Sequence, residues 1–260
     1  MIFAGKPTVV GHRGFGAGKP GGYPENTLAS CQAALDHGLT WIELDVQRSR
    51  DGQLVVRHDP VTPDGALVVS RTAAELAAAG IEPFAEVMAW LPPGAGVNID
   101  VKTIVEDAAG PAGQCTGPLV AAALRELAGT RPLLVTSFDP ALMVYLRDLA
   151  LPGIGLGLIT AQRYPARHAL PAARGLGLAA LSMHAGSFGL QHDGPRAEGR
   201  PPAELIERAH QAGLEVMAWC PGPADAARLA AAGIDAVCVN DVPGVLAAVA
   251  AAPAAGPAAR

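Results

Sequence analysis

Short segments rich in Val, Ile and Leu alternate with helical stretches along almost the whole 260-residue chain. Such alternation is typical of parallel strands that are joined by crossover helices. Eight strands can be assigned in this way, and a barrel of eight strand–helix units typically needs about 250 residues. The predicted strands are Thr8–Val10, Trp41–Val46, Gly96–Val101, Leu133–Thr136, Ile154–Ile159, Ala179–Met183, Glu215–Trp219 and Ala236–Val239.

The segments between these strands carry helix signals. Apolar residues in the first of them recur at the spacing of one helix face, and Thr72 and Glu75 have the spacing of a capping box. Glycines end several of the runs, as expected at helix C-termini. The predicted helices are Asn26–His37, Thr72–Ala79, Leu119–Ala128, Ala141–Leu149, Pro165–Arg174, Ala203–Ala212, Ala224–Ala232 and Val245–Ala250.

Two α/β folds accommodate this alternation, a closed (β/α)8 TIM barrel and an open doubly wound sheet. The count of eight strands favours the barrel, and no G-x-G-x-x-G motif leads from the first strand into a helix. The run Leu54–Arg57 follows the turn dipeptide Asp51-Gly52 and is predicted to be a hairpin arm. We expect one α/β domain over residues 1–251, a single TIM barrel with a short hairpin or cap insertion after strand 2. An Ala- and Pro-rich tail is expected over residues 252–260.

Charge and cysteine content narrow the classes of partner. A net charge of −5 without a basic cluster argues against nucleic-acid binding, so a small molecule is the expected partner. No C-x-x-C pair occurs, and Cys220 and Cys238 are expected to be small buried apolar residues. The N-terminus lacks a long apolar signal region, and prolines interrupt the uncharged C-terminal stretch. We therefore expect a cytoplasmic protein without stable membrane insertion; no sequence feature indicates an oligomeric state.

Charged and polar residues gather at the carboxyl ends of the first three barrel strands and of the hairpin arm. In both α/β folds the active or ligand-binding site lies at these strand ends. Residues two apart on a strand point the same way, so Glu43 and Asp45 share a face, as do Asp100 and Lys102. The residues at these strand ends are His12, Arg13, Glu43, Asp45, His58, Asp100 and Lys102.

Three of these residues, Glu43, Asp45 and Asp100, are predicted to hold one divalent cation. Carboxylates on neighbouring strands repel one another inside a barrel mouth, and a cation offsets that repulsion. Oxygen ligands suit a hard ion, so Mg²⁺ or Ca²⁺ is expected rather than zinc. The alternative is that the three acids are solvated strand ends that pair with Arg13 and Lys102.

Two histidines, His12 and His58, are candidates for a general acid and a general base, because imidazole titrates near neutral pH. A histidine on its own is more often structural, so the hypothesis of acid/base catalysis depends on the presence of both. Arg13 and Lys102 supply positive charge that suits a phosphate group, the first as a planar fork and the second as a point charge. The alternative role for Lys102 is to hold the carboxylates in place.

Short motifs occur in order along nearly the whole chain, and their order and spacing carry a family resemblance. The motifs are His12-Arg13-Gly14, Pro24-Glu25-Asn26-Thr27, Glu43-Leu44-Asp45, Asp51-Gly52, His58-Asp59-Pro60, Asn98-Ile99-Asp100-Val101-Lys102, Ser137-Phe138-Asp139, and Trp219 through Gly233-Ile234-Asp235 to Asn240-Asp241. Together they resemble the signature of the glycerophosphodiester phosphodiesterases, a family of the PLC-like phosphodiesterase TIM-barrel superfamily.

The resemblance implies a hydrolase that cleaves glycerophosphodiesters to an alcohol and sn-glycerol 3-phosphate. It implies a divalent metal on Glu43, Asp45 and Asp100. It also implies an acid/base pair, in which we assign His12 as base and His58 as acid. In the family's mechanism the glycerol 2-hydroxyl attacks phosphorus to give a cyclic phosphate, which water then opens.

The resemblance also implies roles for residues beside the metal and the histidines. Arg13 would stabilise charge on the phosphoryl oxygens, and Trp219 matches an aromatic position and would wall the glycerol side of the site. The chain departs from the family at Asp100, where glutamate is more usual. It also has a short segment between His58 and Asn98, which predicts an open mouth.

Other functions remain open at this stage. A lysophospholipase D would use the same residues with a different alcohol and acyl pocket. A noncatalytic barrel that binds glycerophosphodiesters or phosphate would not need two proton-transfer groups. A sugar isomerase or aldolase barrel would need a Schiff-base lysine or other metal ligands, and Lys102 alone does not supply them.

Overall fold

The computed structural model of the protein describes residues 1–3, 7–189 and 200–252. Eight parallel strands pair in a closed ring, because β1 pairs with β9 on one side and with β2 on the other. The predicted TIM barrel is therefore confirmed. The strands are β1 (Thr8–Gly11), β2 (Trp41–Arg48), β3 (Leu54–Val56), β4 (Gly96–Val101), β5 (Leu133–Ser137), β6 (Ile154–Ile159), β7 (Ala180–His184), β8 (Glu215–Trp219) and β9 (Ala236–Val239).

The predicted hairpin arm is β3, which lies outside the ring and pairs antiparallel with the end of β2. This pairing explains why β2 continues beyond its predicted end. Gln47 and Arg48 are opposite Val55 and Leu54, so the arm supplies hydrogen-bond partners for two further residues of β2.

Helices surround the barrel, and one of them was not expected. Between β3 and β4 the sequence predicts one helix, whereas the structure has two. The second, α3, is only seven residues long and begins after Pro83, and such a short apolar run shows little periodicity. The helices are α1 (Leu28–Asp36), α2 (Ala73–Ala78), α3 (Phe84–Trp90), α4 (Thr116–Leu127), α5 (Pro140–Asp148), α6 (Ala166–Gly175), α7 (Pro202–Gln211), α8 (Pro223–Ala231) and α9 (Val242–Ala250).

Two apolar layers hold the barrel together. The larger lies between the strands and the helices. The smaller fills the barrel interior at the amino ends of the strands, where the rings of Phe3 and Trp41 lie 5.0 Å apart. Gly96 makes this packing possible, because a Cβ at this position would lie 2.3 Å from the Trp41 ring. The amino end of the barrel is thus filled, and the carboxyl end is left for a site.

The expected tail over residues 252–260 lies outside the described residues except for Ala252. None of the described helices is long and apolar enough to cross a lipid bilayer.

Candidate active site

A cavity of about 320 Å³ lies at the carboxyl end of the barrel. Its wall includes every predicted site residue except Asp45, which is buried beside them. Charged groups from β1, β2 and β4 form one side, and mostly apolar groups from β5 to β9 form the other. The lining residues are His12, Arg13, Ala17, Glu43, His58, Asn98, Asp100, Lys102, Phe138, Ile159, Ser182, Met217, Trp219, Cys220, Cys238 and Asn240.

Glu43, Asp45 and Asp100 lie together on two neighbouring strands. Asp45 of β2 is in register with Asp100 of β4, and Glu43 lies two residues before Asp45 on the same face. One ligand oxygen from each of the three lies within 4.8 Å of the others. Their exposed fractions are only 3%, 1% and 4%, so water does little to screen their repulsion.

The pKa values of the three carboxyl groups differ because their neighbours differ. Burial, together with the charges of Asp45 and Asp100, raises the pKa of Glu43 well above its ordinary value. Burial also raises the pKa of Asp100, although Lys102 opposes the shift. Burial acts in the same direction on Asp45, but Lys102 and Arg13 outweigh it and hold the pKa of Asp45 below its ordinary value. The neighbouring positive charges therefore offset the burial of Glu43 and Asp100 only in part.

The donor set fits a hard divalent cation. Oδ1 of Asp100 is buried and has no hydrogen-bond partner among the residues that the structure describes. A buried carboxylate oxygen without a donor is costly, and a cation would remove that cost. Three carboxylates within reach of one point are the ligands that Mg²⁺ or Ca²⁺ prefers.

Lys102 contacts two of the carboxylates. Its Nζ lies 2.9 Å from Oδ1 of Asp45 and also donates to Asp100. The same Nζ lies 5.5 Å from the centre of the Phe138 ring. These contacts correspond to the alternative in which Lys102 holds the carboxylates in place.

Arg13 is tied to the carboxylates from the other side. Its backbone N–H donates to Oε2 of Glu43 at 2.8 Å, and its Nε lies 3.3 Å from Oδ2 of Asp45. Nη1 donates to Glu25 at 2.9 Å. Arg13 has a positive φ of 55°, which turns the chain sharply after β1 and directs both the backbone and the side chain towards β2.

His12 lies at the end of β1, beside groups from β8 and β9. Its Nδ1 is 2.7 Å from Oδ1 of Asn240 and 3.7 Å from Sγ of Cys220, and its Nε2 is 3.9 Å from Oε2 of Glu43. Burial lowers the pKa of His12, but the contacts with Cys220 and Asn240 outweigh it, so that this pKa is raised from its ordinary value.

His58 follows the arm β3 and is more open to solvent, with 37% of its side chain exposed. Its Nδ1 lies 2.8 Å from Oδ1 of Asp59, and this hydrogen bond lowers the pKa of Asp59. Nε2 of the buried Gln47 lies 2.9, 3.0 and 2.9 Å from the backbone carbonyl oxygens of Arg57, His58 and Asp59. The loop that presents His58 is thus anchored to β2.

Trp219 lies at the end of β8 on the apolar side of the cavity. Its Nε1 donates to the backbone carbonyl of Thr160 at 3.3 Å, and its ring packs edge to face with His184 at 4.4 Å. Burial, with a smaller effect of Arg163, lowers the pKa of His184, which favours the neutral imidazole.

Several polar contacts of the site were not predicted from the sequence. Asn26 donates to Oδ2 of Asp45 at 2.9 Å, a contact that its place in a sequence motif did not indicate, and the next residue, Thr27, caps α1. Cys238 is buried as expected, but Cys220 has a positive φ of 55° and its thiol faces the cavity. For Asn240 the sequence did contain a signal, because a polar residue directly after a barrel strand is a candidate site residue.

The chain is similar to known proteins in both sequence and fold. A family model described as the glycerophosphoryl diester phosphodiesterase family matches residues 12–243. The glycerophosphodiester phosphodiesterase of Bacillus altitudinis is 49% identical over 51 residues, which are 20% of this chain and 19% of that protein. That of Caldanaerobacter subterraneus subsp. tengcongensis is 46% identical over 54 residues, 21% of each chain. The chain thus matches about a fifth of the length of these curated relatives.

Solved structures are similar over a much larger share of the chain. An Oleispira antarctica phosphodiesterase in complex with the product sn-glycerol-3-phosphate superposes with a TM-score of 0.72 and 26% identity, covering 95% of this chain and 98% of that one. The glycerophosphodiester phosphodiesterase of Thermotoga maritima is 22% identical and superposes with a TM-score of 0.70. The match covers 95% of this chain and 99% of that one, and at this identity it supports the fold alone. On the family match over most of its length, the chain belongs to the glycerophosphoryl diester phosphodiesterase family.

Proposed function

We propose that this chain hydrolyses glycerophosphodiesters to an alcohol and sn-glycerol 3-phosphate, and that residues 1–251 form the catalytic domain. The observation that carries the proposal is the convergence of His12, His58 and a buried carboxylate cluster on one cavity. Membership of the family supports the reaction class. The product named in the Oleispira antarctica complex supports the identity of the released phosphate ester.

The charged side of the cavity would bind the phosphodiester group. Glu43, Asp45 and Asp100 would hold one Mg²⁺ or Ca²⁺, which would supply Lewis-acid stabilisation of charge on the phosphoryl oxygens. Arg13 and Lys102 would add positive charge beside the same group, and their present ion pairs with the carboxylates keep both cations oriented. Trp219 would wall the glycerol side of the site.

The environments of the two histidines favour different roles. Nδ1 of His58 lies 2.8 Å from the carboxylate of Asp59, a contact that orients the ring and suits the role of general acid. His12 lies against the neutral side-chain amide of Asn240, which suits a general base.

With these roles, each histidine that takes up or gives a proton in the first step reverses that transfer in the second. His12 accepts the proton of the glycerol 2-hydroxyl as its oxygen bonds to phosphorus, and His58 gives a proton to the departing alcohol oxygen as its bond to phosphorus breaks. Water opens the cyclic phosphate with the two roles exchanged, so that both histidines return to their starting states.

Release of sn-glycerol 3-phosphate from glycerophosphocholine tests the proposal. It is measured with EDTA and then after addition of Mg²⁺ or Ca²⁺, and the cation is expected to restore activity. A panel of other glycerophosphodiesters and of lysophospholipids is assayed in parallel. Activity on lysophospholipids alone would replace the proposal with a lysophospholipase D. No activity on any substrate with metal present would favour a binding protein.

A further inference from the structure

We propose that Asn240 is a positioning residue that holds His12 in the tautomer with its hydrogen on Nδ1. The other ring nitrogen, Nε2, is then left without a hydrogen and is ready to take the proton of the substrate hydroxyl. The catalytic part of this inference rests on the proposed function, whereas the tautomer itself does not.

The orientation of the Asn240 amide follows from its neighbours. The backbone N–H of Ala17 donates to Oδ1 at 2.9 Å. A backbone N–H can only donate, so the atom that faces it must be the oxygen. Nδ2, on the other side, donates to Sγ of Cys220 at 3.4 Å. A flipped amide would set two donors against each other at Ala17 and would lose both contacts.

The protonation of His12 follows from that orientation. Nδ1 of His12 lies 2.7 Å from the same Oδ1. An amide oxygen only accepts, so a hydrogen bond at this distance requires the hydrogen on Nδ1. Nε2 lies 3.9 Å from Oε2 of Glu43, which is longer than a hydrogen bond, and His12 lines the cavity.

The fold fixes the two side chains relative to each other. His12 and Asn240 directly follow β1 and β9, which pair in parallel with Gly11 opposite Val239. The backbone N–H of His12 donates to the carbonyl of Val239 at 3.1 Å. Gly16 allows the loop after β1 to approach, because a Cβ at this position would lie 2.3 Å from the carbonyl oxygen of Asn240.

A purely structural role for Asn240 makes a different prediction. If its function were only to hold the loop at Ala17, its loss would reduce stability without changing the protonation of His12. A measurement that shows which ring nitrogen of His12 carries the hydrogen therefore distinguishes the two roles.

The experiment is ¹⁵N NMR of the histidine side chains in the full chain at about pH 9, where imidazoles are neutral. Spectra are recorded with and without Mg²⁺, and a His12→Gln variant assigns the His12 signals. The wild type is expected to show hydrogen on Nδ1 of His12 and none on Nε2. Asn240→Leu is expected to shift the population towards the Nε2-protonated form. Asn240→Asp keeps an acceptor and is expected to retain the wild-type tautomer.

Kinetics of glycerophosphocholine cleavage near neutral pH, because the proposed reaction needs one histidine protonated and the other neutral, complete the test. Asn240→Leu is expected to lower kcat by about 10- to 100-fold with little change in KM, and Asn240→Asp is expected to recover most of the loss. A wild-type His12 protonated on Nε2, or a tautomer unchanged in Asn240→Leu, would overturn the proposal. If Asn240→Leu does not fold, Asn240→Ala replaces it, and the wild-type spectrum still decides the tautomer. Absence of hydrolysis would refute the proposed function and leave the NMR result standing.

Discussion

Nζ of Lys102 lies 2.9 Å from Oδ1 of Asp45, inside a barrel mouth where both side chains are largely shielded from water. The same ammonium group also donates to Asp100. One cation thus neutralises part of a buried cluster of three carboxylates, and after its loss the ion pair between Arg13 and Asp45 remains.

We therefore expect Lys102→Met to lower the free energy of unfolding by about 3 kcal/mol in metal-free protein near pH 7, because removal of one partner leaves a buried charge uncompensated. Urea denaturation measures the change. Lys19→Met, at an exposed lysine, is the matched control and is expected to change stability by less than about 0.5 kcal/mol. Equal losses in the two variants would mean that the ion pair adds no stability.

A divalent cation is expected to stabilise the folded protein. Mg²⁺ or Ca²⁺ at about 100 times its dissociation constant contributes about 2.7 kcal/mol, which corresponds to a rise in Tm of roughly 5–10 °C. Asp100→Asn should abolish most of this rise, because it removes one of three ligands. Glu126→Gln, at an exposed carboxylate, is the control. A full rise in Asp100→Asn would place the ion elsewhere.

The raised pKa of Glu43 predicts how the stability of the metal-free protein depends on pH. Between the ordinary pKa of glutamate, about 4, and the raised value in the fold, the native state holds a proton that the unfolded state has lost. Stability therefore falls as pH rises through this window, and Asp100 adds a change of the same sign.

Denaturation at a series of pH values measures this slope, with and without Mg²⁺. Glu43→Gln is expected to flatten it, and Mg²⁺ is expected to remove it because the bound cation stabilises the ionised carboxylates. Asp45 acts in the opposite direction, since its lowered pKa gives stability above its ordinary pKa that is lost on acidification. A slope unchanged in Glu43→Gln would show that Glu43 does not hold the proton.

The carboxylates could be predicted from the sequence because their positions follow from local geometry. Residues two apart on a strand share a face, and parallel strands end at the same edge, so Glu43, Asp45 and Asp100 had to be neighbours once β2 and β4 were adjacent. The eight strands and the hairpin arm were assigned on similar local patterns.

The supporting contacts could not be predicted, because they join distant segments through unusual backbone conformations. Asn240 meets His12 across 228 positions of sequence. Asn26 reaches Asp45 from a residue with a φ of 56°, and Cys220 turns towards the cavity with a φ of 55°. Neither the hydrophobic period nor residue type carries that information.

Replacement of His58 is expected to affect catalysis and not folding. The side chain is 37% exposed, and its hydrogen bond to the neighbouring Asp59 stays within the same loop. His58→Ala should lower kcat by about 10²- to 10⁴-fold, because the leaving alcohol loses its proton donor. His168→Ala, at an exposed histidine of α6, should leave both kcat and Tm unchanged. Near-normal turnover in His58→Ala would exclude His58 as the acid.

Gln47 is expected to act through His58, because its amide lies within hydrogen-bonding distance of three consecutive carbonyls of the loop that presents this histidine. Gln47→Leu keeps the volume of the side chain but leaves those oxygens without their donor. We expect kcat to fall by about 10-fold and the free energy of unfolding to fall by about 1–3 kcal/mol. Gln211→Leu, at an exposed glutamine of α7, controls for the substitution.

A double-mutant cycle tests whether the catalytic effect of Gln47 passes through His58. In the His58→Ala background the loop has no acid to position, so Gln47→Leu should reduce kcat little further, although its cost in stability should remain. If the two losses of kcat instead multiply in the double variant, Gln47 supports catalysis independently of His58. The hydrogen bonds to the loop would then account for stability alone.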